Sequence, residues 1–447
     1  IAPQPTSPSR RLPRIHRLLW ALLRFDKQGT MSEKIRISDL GDPQLSDLQK
    51  MARDYGEGLS LDMSSASILE DASRRTGLDD FGSMDFVGRL EMWLDEVAQD
   101  PDRLGIGNLS LRNSCVRYVA NRLLTQDLLR RHPEIHDIKI ERPIIIVGLP
   151  RTGTTHLLNV LSADERLRSM PLWESYEPIP MSNQAAHSDG IDPRYTRCAK
   201  EWEQMQMVTP HIALMHPMDP DHVHEEIELM LPDFSSYNLE WVARCPQWRD
   251  YYLSQDQTPH YEYMHTMLKV MTFLRPRNRW ILKSPQHFEQ IGPLMKTFPD
   301  ATIVMTHRDP VSVIQSAATM MTYAARMAYR TIDPGWYIDY WTDRIEKLLT
   351  AAVRDLHLIP AGQRFDVQFD EFMSDDQKMI DRVFDFAGHS LDEQASQQIA
   401  ERLKARSRDG QATVVYDVRA DFNREPADIR ERFQSYIETF NVATEVK

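Results

Sequence analysis

The chain has 447 residues, with 53 basic and 66 acidic side chains and a formal net charge of −13 at pH 7. This length can bury a large core in one or two domains, and the mild acidic excess argues against both a nucleic-acid-binding protein and a disordered chain. The three cysteines, Cys115, Cys198 and Cys245, are far apart, which argues against disulfides and a zinc site and predicts a cytoplasmic location. No apolar run of about 18 residues occurs, so no transmembrane segment is expected.

The first 30 residues differ in composition from the rest of the chain. They are rich in Pro and Ser, contain no acid before Asp26, and place arginines around the apolar run 18–23. This pattern is typical of a membrane-surface helix or of a transit peptide. The alternative is sequence upstream of a natural start at Met31, which is the interpretation adopted for the fold prediction. Peripheral contact with a membrane stays open.

Residues 31–140 are predicted to form a helical segment that packs on the core. Apolar residues recur there at helical spacing, for example Phe86, Leu90, Trp93, Leu94 and Val97. No catalytic constellation is visible in this segment, so we expect it to have a structural role.

One stretch combines a strand, a glycine-bounded loop and a helix start. The β-branched run Ile144–Val147 is typical of a buried parallel strand, and the loop from Gly148 to Gly153 has the spacing of a P-loop. The first-turn amides and the dipole of the following helix favour a phosphate. Thr154 replaces the lysine that reaches the γ-phosphate in nucleotide triphosphatases. The loop therefore suits a 5′-phosphate, whose charge Arg151 can match.

Three further strands are predicted, each followed by polar residues: 280–283, 301–306 and 365–369. Their alternation with helical sequence predicts an α/β fold over residues 141–447, in which helices flank a P-loop-like parallel sheet. Ligands of such sheets bind beyond the carboxyl ends of the strands. Because Lys283, His287 and Arg308 follow strand ends, we expect them on the same rim as the loop, where they would form a polyanion site.

Residues 165–275 are predicted to be a helical cap insertion that faces the substrate. Within it, His222, His224, Glu225 and Glu226 could be taken for metal ligands. A spacing of two residues points side chains to different sides of a helix, which argues against a metal site. A carboxylate or histidine that faces the substrate, or a solvated helix start, are the remaining interpretations.

The chain resembles the PAPS-dependent sulfotransferases, which use 3′-phosphoadenosine 5′-phosphosulfate (PAPS) as sulfuryl donor. Arg151-Thr152-Gly153-Thr154-Thr155 matches the family's loop for the 5′-phosphosulfate. Arg308 and Ser316 match the arginine and the serine, eight residues apart, that contact the 3′-phosphate. The run from Leu282 to His287 matches the Leu-Lys-Ser-Pro-x-His form of the bacterial branch, and the resemblance covers roughly residues 60–445.

The resemblance also implies roles for individual residues. His156 stands where cytosolic members stack an aromatic side chain on adenine, and Arg408 and Gly410 stand in a basic loop over the 3′-phosphate. Lys283 and Arg151 are expected to stabilise the leaving phosphate. Because PAPS has no γ-phosphate, no metal is expected to be required. The predicted general base is His287, and the alternatives are Glu225, Glu226 and Glu174.

The predicted function is transfer of a sulfuryl group from PAPS to a hydroxyl of a small molecule. The Met and aromatic content of the cap favours an apolar or amphipathic alcohol, phenol, sterol or lipid over a charged glycan. Two alternatives stay open: a small-molecule kinase that uses ATP, and a non-catalytic relative that binds the nucleotide. Magnesium dependence would distinguish the first, and turnover of PAPS the second.

Overall fold

The computed structural model describes residues 34–181, 184, 190–277, 279–408 and 413–447, except the side chains of 405–408. Segment 1–30, Gly410 and the side chain of Arg408 therefore lie outside the described residues. The interpretation of the N-terminal segment and the roles assigned to Arg408 and Gly410 stay predictions.

The described strands are β1 (Lys34–Arg36), β2 (Ile144–Gly148), β3 (Leu167–Arg168), β4 (Arg279–Ser284), β5 (Thr302–His307), β6 (Arg364–Gln368) and β7 (Thr413–Val415). Within the described residues, five of them form a central parallel sheet in the order β3-β4-β2-β5-β6. The central strand β2 is buried along its whole length, as expected when helices cover both faces. The predicted α/β fold class is confirmed.

Side chains of β2 alternate between two cores. Ile145 and Val147 belong to a cluster that includes residues of the helices Thr258–Leu274, Pro310–Ala325 and Pro334–Asp355. On the opposite face, Ile144 and Ile146 pack with the helices Thr154–Leu161 and Asp376–Phe386. The period of two in a strand produces this division, so a run that is apolar at every position serves both faces.

The predicted helices of the N-terminal segment are present. They are Asp47–Glu57, Ser65–Thr76, Asp85–Gln99 and Gly105–Arg131. Their main apolar cluster joins Phe86, Leu90 and Trp93 to Phe234 and Trp248 of the region that was predicted to be a cap insertion. The N-terminal helices thus pack against the region 165–275, which is called the cap below.

The cap and the C-terminal region are also mostly helical. Their helices are Leu172–Tyr176, Pro193–Val208, Pro210–Met215, Leu239–Val242, Pro246–Ser254, Ile291–Thr297, Phe369–Ser374, Glu393–Arg408, Val418–Phe422, Pro426–Glu431 and Gln434–Phe440. No helix in the described part of the chain has both the length and the apolar character needed to cross a bilayer.

Three short strands, β1, β3 and β7, escaped the prediction because they are too short for a periodic signal. β3 has two residues and extends the sheet beside β4. β1 pairs in parallel with β7, with Ile35 opposite Val414, and this pairing ties the first described residues to the C-terminal region. The sequence separation of the partners makes it a tertiary feature.

Candidate active site

The loop after β2 is held tightly against β5. A Cβ atom at Gly148 would overlap Thr306 Oγ1, so only glycine fits there. Thr152 Oγ1 donates to Leu149 O at 2.7 Å and lies 2.7 Å from Thr306 Oγ1. Gly153 has φ of 81°, in the left-handed region that favours glycine. The two glycines and Thr152 therefore determine the shape of the loop.

The helix Thr154–Leu161 starts directly after Gly153, an N-cap residue that provides no side chain to cap the first turn. The amides at the start of a helix lack intrahelical acceptors, and the helix dipole favours negative charge there. The loop and the start of this helix consequently form a cradle for an anion.

Arg151 adopts an unusual backbone conformation at the centre of this loop. Its φ of 68° is in the left-handed region, which costs a non-glycine residue about 1–2 kcal/mol. The guanidinium is anchored, because Nε donates to Ser316 Oγ at 3.1 Å and Nη1 donates to Met215 O at 2.6 Å. Two predicted donor-site residues, Arg151 and Ser316, are thus in direct contact.

Lys283, near the end of β4, forms an ion pair with Glu225. The side chains of both are largely shielded, with exposures of 3 % and 15 %. An ion pair in such surroundings interacts much more strongly than one in water, and removal of either partner leaves an unpaired buried charge. The pair therefore places one cation and one carboxylate side by side at the rim of the sheet.

His287 and Glu226 lie behind this pair. The ring of His287 is fully buried, with Nε2 2.6 Å from Glu226 Oε1 and Nδ1 2.7 Å from the hydroxyl of Tyr261. The other oxygen of Glu226 accepts a hydrogen bond from the backbone amide of Lys283 at 2.7 Å. Both side chains form their hydrogen bonds with protein groups. Their arrangement therefore suits a role in holding Lys283 in position.

Arg308 follows β5, and its guanidinium forms an ion pair with a carboxylate of the same chain. Its Nε and Nη2 donate to the carboxylate of Glu445 at 2.8 and 2.7 Å, and Ser312 Oγ donates to the same group at 3.3 Å. The guanidinium lies 3.8 Å from the ring centroid of Phe369, close enough for a cation–π interaction. Arg308 therefore already binds a carboxylate from the C-terminal segment.

A cavity of about 930 Å³ opens over this rim. Its lining residues come from the loop, the sheet rim, the N-terminal helices and the cap. Among them are Arg151, Gly153, Thr154, Thr155, His156, Lys283, Arg308, Phe369, Glu225, His216, His224, Glu228, Tyr237, Trp241, Tyr176, Arg117, Arg197, Glu201 and Met205. Most of the predicted site residues are thus brought together around one space.

Six predicted residues within the described part of the chain do not line this cavity: Thr152, Ser316, His222, Glu226, His287 and Glu174. Thr152 and Ser316 support the loop from behind, as described above. Glu174 forms a buried ion pair with Arg168 at 2.7 Å, so its carboxylate stabilises the fold beneath the cap. Of the candidate bases, Glu225 lines the cavity.

His156 lies in the helix that follows the anion cradle, and it lines the cavity. Its ring stacks on Phe372 at 5.1 Å with an angle of 25° between the planes, and Nε2 lies 3.4 Å from Asp376 Oδ2. Phe369 provides a second ring in the same region and lines the cavity with His156.

Histidines cluster on the cap side of the cavity. His222 lies 5.8 Å from His216 and 5.9 Å from His224 between ring centroids. Burial, together with the charge of His224, lowers the pKa of His216 to about 3 and that of His222 to about 2. Both rings are therefore neutral at pH 7. No group of metal-ligating side chains with suitable geometry occurs among the residues that the structure describes.

Sequence reasoning missed several residues of the site. Arg117, Tyr176, Tyr237 and Phe369 line the cavity, but none belongs to a motif. Phe369 alone carried a signal, since it stands at the end of a predicted strand and hence on the rim. The ion pair between Arg308 and Glu445 links residues 137 positions apart, so no local sequence pattern could predict it.

Comparison with known proteins agrees with this architecture. The model of the sulfotransferase family matches residues 143–393, which include the loop, the cap and the strands β2 to β6. The chain belongs to the sulfotransferase family. The matched range includes the anion cradle, Lys283 and Arg308. As a member of this family, the chain is a sulfotransferase enzyme. The kinase alternative is not favoured.

Relatives of this sulfotransferase are found among mycobacterial proteins. It is 23 % identical over 289 residues to the omega-hydroxy-beta-dihydromenaquinone-9 sulfotransferase Stf3 of Mycobacterium bovis, a match that covers 63 % of this chain and 70 % of the relative. The crystal structure of sulfotransferase STF9 from Mycobacterium avium superposes with a TM-score of 0.77 at 23 % identity, over 87 % of this chain and 100 % of the other. For STF1 from Mycobacterium tuberculosis H37Rv the TM-score is 0.73 at 23 % identity, over 85 % and 99 %. At this identity the two structures support the fold.

Proposed function

We propose that this sulfotransferase moves a sulfuryl group from PAPS to a hydroxyl of a small apolar or amphipathic acceptor. The observation that carries the proposal is the convergence of three features on one cavity: the anion cradle after β2, Lys283 and Arg308. Two cations and a helix N-terminus on one rim suit a donor with two anionic groups.

The two ends of the donor have different candidate partners. The loop from Arg151 to Thr155 and the amides of the following helix would hold the 5′-phosphosulfate. Arg308 would hold the 3′-phosphate after exchanging Glu445 for it, and Ser312 and Ser316 lie on the same helix within reach of this region. Glu445 supports this assignment, because the contact shows that Arg308 can bind an anion in a bidentate arrangement.

When bound, PAPS would supply an activated sulfuryl group, whose bond to the phosphate breaks as the acceptor oxygen bonds to sulfur. Negative charge then develops on the phosphate oxygen that leaves. Lys283 and the loop amides are positioned to stabilise this charge, and such preorganised cations and amides commonly contribute the largest part of catalysis. No step requires a metal, so we expect activity without magnesium.

The best-placed group to accept the proton of the acceptor hydroxyl is Glu225. It lines the cavity beside Lys283, whereas His287 is buried and bonded at both ring nitrogens. A base must reach the proton that it removes, so geometry takes precedence over chemical type. In this proposal His287 positions Lys283 through Glu226.

The acceptor is proposed to be largely apolar. Met205, Met218, Trp241, Met320 and Val242 contribute apolar surface to the cavity, which would bury a hydrocarbon or aromatic skeleton. Stf3, as its name states, acts on a menaquinone-derived compound with an omega-hydroxyl group, and this supports an apolar alcohol for the present chain. Cys115, Cys198 and Cys245 are free and buried, which supports a cytoplasmic location.

The proposal is tested by calorimetric titration with adenosine 3′,5′-bisphosphate and, separately, with Mg-ATP, each in the presence and absence of EDTA. We expect tight binding of the bisphosphate that EDTA does not change, and weak binding of ATP. Equal or tighter magnesium-dependent binding of ATP would contradict the proposed donor.

A further inference from the structure

The segment after the last helix contacts Arg308, which lines the cavity. The helix Gln434–Phe440 ends at Asn441, whose φ of 51° turns the chain. Val442 is buried in the core cluster with an exposure of 8 %, whereas most of the residues after it are exposed. We name residues 443–447 the C-terminal strap. The strap is anchored in the core at its start and lies on the surface from there on.

The strap occupies the guanidinium that is proposed to hold the 3′-phosphate. Glu445 accepts hydrogen bonds from Arg308 Nε and Nη2 at 2.8 and 2.7 Å, and Arg308 Nη1 donates to the backbone oxygen of Arg151. All three nitrogens are thus engaged within the chain. A phosphate bound to the same guanidinium would stand beside the Glu445 carboxylate, and two anions at such a distance repel each other. The 3′-phosphate and Glu445 therefore compete for one cation.

Asp309 fastens the strap from below. The residue is buried, with an exposure of 1 %. Its Oδ2 accepts hydrogen bonds from the backbone amides of Glu445 and Val446 at 2.9 and 3.1 Å and from Arg430 Nη2 at 3.0 Å. Its Oδ1 accepts from the amide of Val311 at 3.1 Å and caps the helix that begins there. One carboxylate therefore holds both the strap and the start of that helix.

The contacts of the strap are of a kind that a bound phosphate can replace. The side chains of Arg308 and Glu445 are 22 % and 32 % exposed, so water weakens their ion pair. A phosphate carries more negative charge than a carboxylate and forms the same bidentate contact with an arginine. The strap has no regular secondary structure. It can consequently separate from Asp309 while Val442 stays in the core.

We propose that the strap is an autoinhibitory element that competes with the 3′-phosphate of the nucleotide for Arg308. Binding of PAPS or of the bisphosphate product displaces Glu445 and releases the strap from Asp309, and the strap closes again when the nucleotide leaves. Closure of the strap lowers the affinity for the bisphosphate product and so favours its dissociation. The inference rests on the proposed function, because it requires a nucleotide with a 3′-phosphate at this site.

Hydrogen exchange of the full chain tests the release of the strap. The amides of Glu445 and Val446 report on it directly, because both donate to Asp309. We expect their exchange to become about 10-fold faster, or more, with saturating adenosine 3′,5′-bisphosphate. Adenosine 5′-monophosphate, which lacks the 3′-phosphate, should leave it unchanged. Unchanged or slower exchange with the bisphosphate, or equal acceleration by the monophosphate, would overturn the inference.

The chain contains a matched internal control for this measurement. The carboxylate of Glu96 accepts hydrogen bonds from the backbone amides of Gln247 and Trp248 at 2.8 and 2.7 Å, and none of these three residues lines the cavity. The exchange of these two amides should be the same with and without the bisphosphate. Faster exchange at both carboxylates would indicate a general loosening of the fold, which also overturns the inference.

Two substitutions at Val446 test the coupling between the strap and the nucleotide. Val446→Pro removes the N–H that donates to Asp309, because proline has none, whereas Val446→Ala keeps it. The looser strap of Val446→Pro should raise the affinity for the bisphosphate by about 5-fold, the contribution of one hydrogen bond. Val446→Ala should stay within about 2-fold of the wild type. Equal affinity in Val446→Pro and the wild type would overturn the inference.

Failure of the inference is distinct from failure of the proposed function. If wild-type protein binds the bisphosphate tightly and the amides of Glu445 and Val446 do not respond, the donor site stands and the strap is a structural element only. If the bisphosphate does not bind at all, the proposed function fails and the inference fails with it.

Discussion

The donor side and the acceptor side of the cavity satisfy their polar groups in opposite ways. On the donor side, Arg151 is bonded to Ser316 and Met215, and Arg308 is bonded to Glu445. On the acceptor side, polar atoms of His224 and Tyr237 have no partner among the described residues. The proposed donor must therefore replace existing contacts, and its affinity is consequently a difference between two sets of contacts. The cap side of the cavity offers apolar surface from Met205, Trp241 and Val242.

The largest effect is expected at the boundary between the two sides. Glu225→Gln removes the proposed base and preserves the shape of the side chain, so kcat should fall by about 10²-fold or more, the usual contribution of a general base. Bisphosphate affinity should change little. The measurement is steady-state kinetics together with calorimetry.

His287→Gln is the informative companion variant. Because His287 is buried and bonded to Glu226 and Tyr261, its replacement should lower the free energy of unfolding and reduce kcat less than Glu225→Gln does. A larger loss of kcat in His287→Gln, with stability unchanged, would return the role of base to the histidine.

The next largest effect concerns the donor side. Arg308→Ala should weaken binding of adenosine 3′,5′-bisphosphate by about 1.5–3 kcal/mol, the value of a hydrogen bond to a charged group. Calorimetric titration measures the change. Adenosine 5′-monophosphate, which lacks the 3′-phosphate, should bind the variant and the wild type alike. Unchanged bisphosphate affinity would contradict the assignment of Arg308.

The acceptor side should also carry a pH dependence of stability. His216 and His222 have folded-state pKa values of about 3 and about 2, against 6.5 for an ordinary histidine. Below pH 6.5 the unfolded state binds protons that the folded state does not, so stability falls as the pH falls and is unaffected above that range. Each group contributes up to about 1.4 kcal/mol per pH unit.

Urea denaturation at pH 7 and pH 5 tests this dependence. The variant His222→Gln should lose less stability between these two pH values than the wild type does. An equal loss would show that His222 does not take part.

The smallest effect tests the exchange at Arg308 directly. Glu445→Gln removes the negative charge that is paired with the Arg308 guanidinium. Because partly exposed ion pairs contribute about 0.2–1 kcal/mol, bisphosphate affinity should rise by up to about 5-fold. Glu438→Gln, at an exposed position of the helix Gln434–Phe440, is the matched control and should leave the affinity unchanged. Weaker binding in Glu445→Gln would show that the carboxylate supports the site.

The sequence by itself determined four of the five strands of the central sheet, the loop and the rim cations. Strand and loop signals are local, since they depend on apolar runs, glycine and helix starts, and the carboxyl ends of parallel strands meet at one edge. Lys283 and Arg308 could therefore be predicted to lie on one rim of the sheet, and both line the cavity. The fold class and the family followed from the same residues and are confirmed.

Only the tertiary structure decided which residues face the cavity and which stand behind them. The sequence favours His287 as the base over Glu225, yet His287 is buried and Glu225 lines the cavity. The contact of Arg117 with the ring of Tyr176 joins the helix Gly105–Arg131 to the cap, and the contact of Arg308 with Glu445 joins β5 to the C-terminal segment. Such contacts between distant parts of the chain depend on packing, which leaves no periodic signal in the sequence.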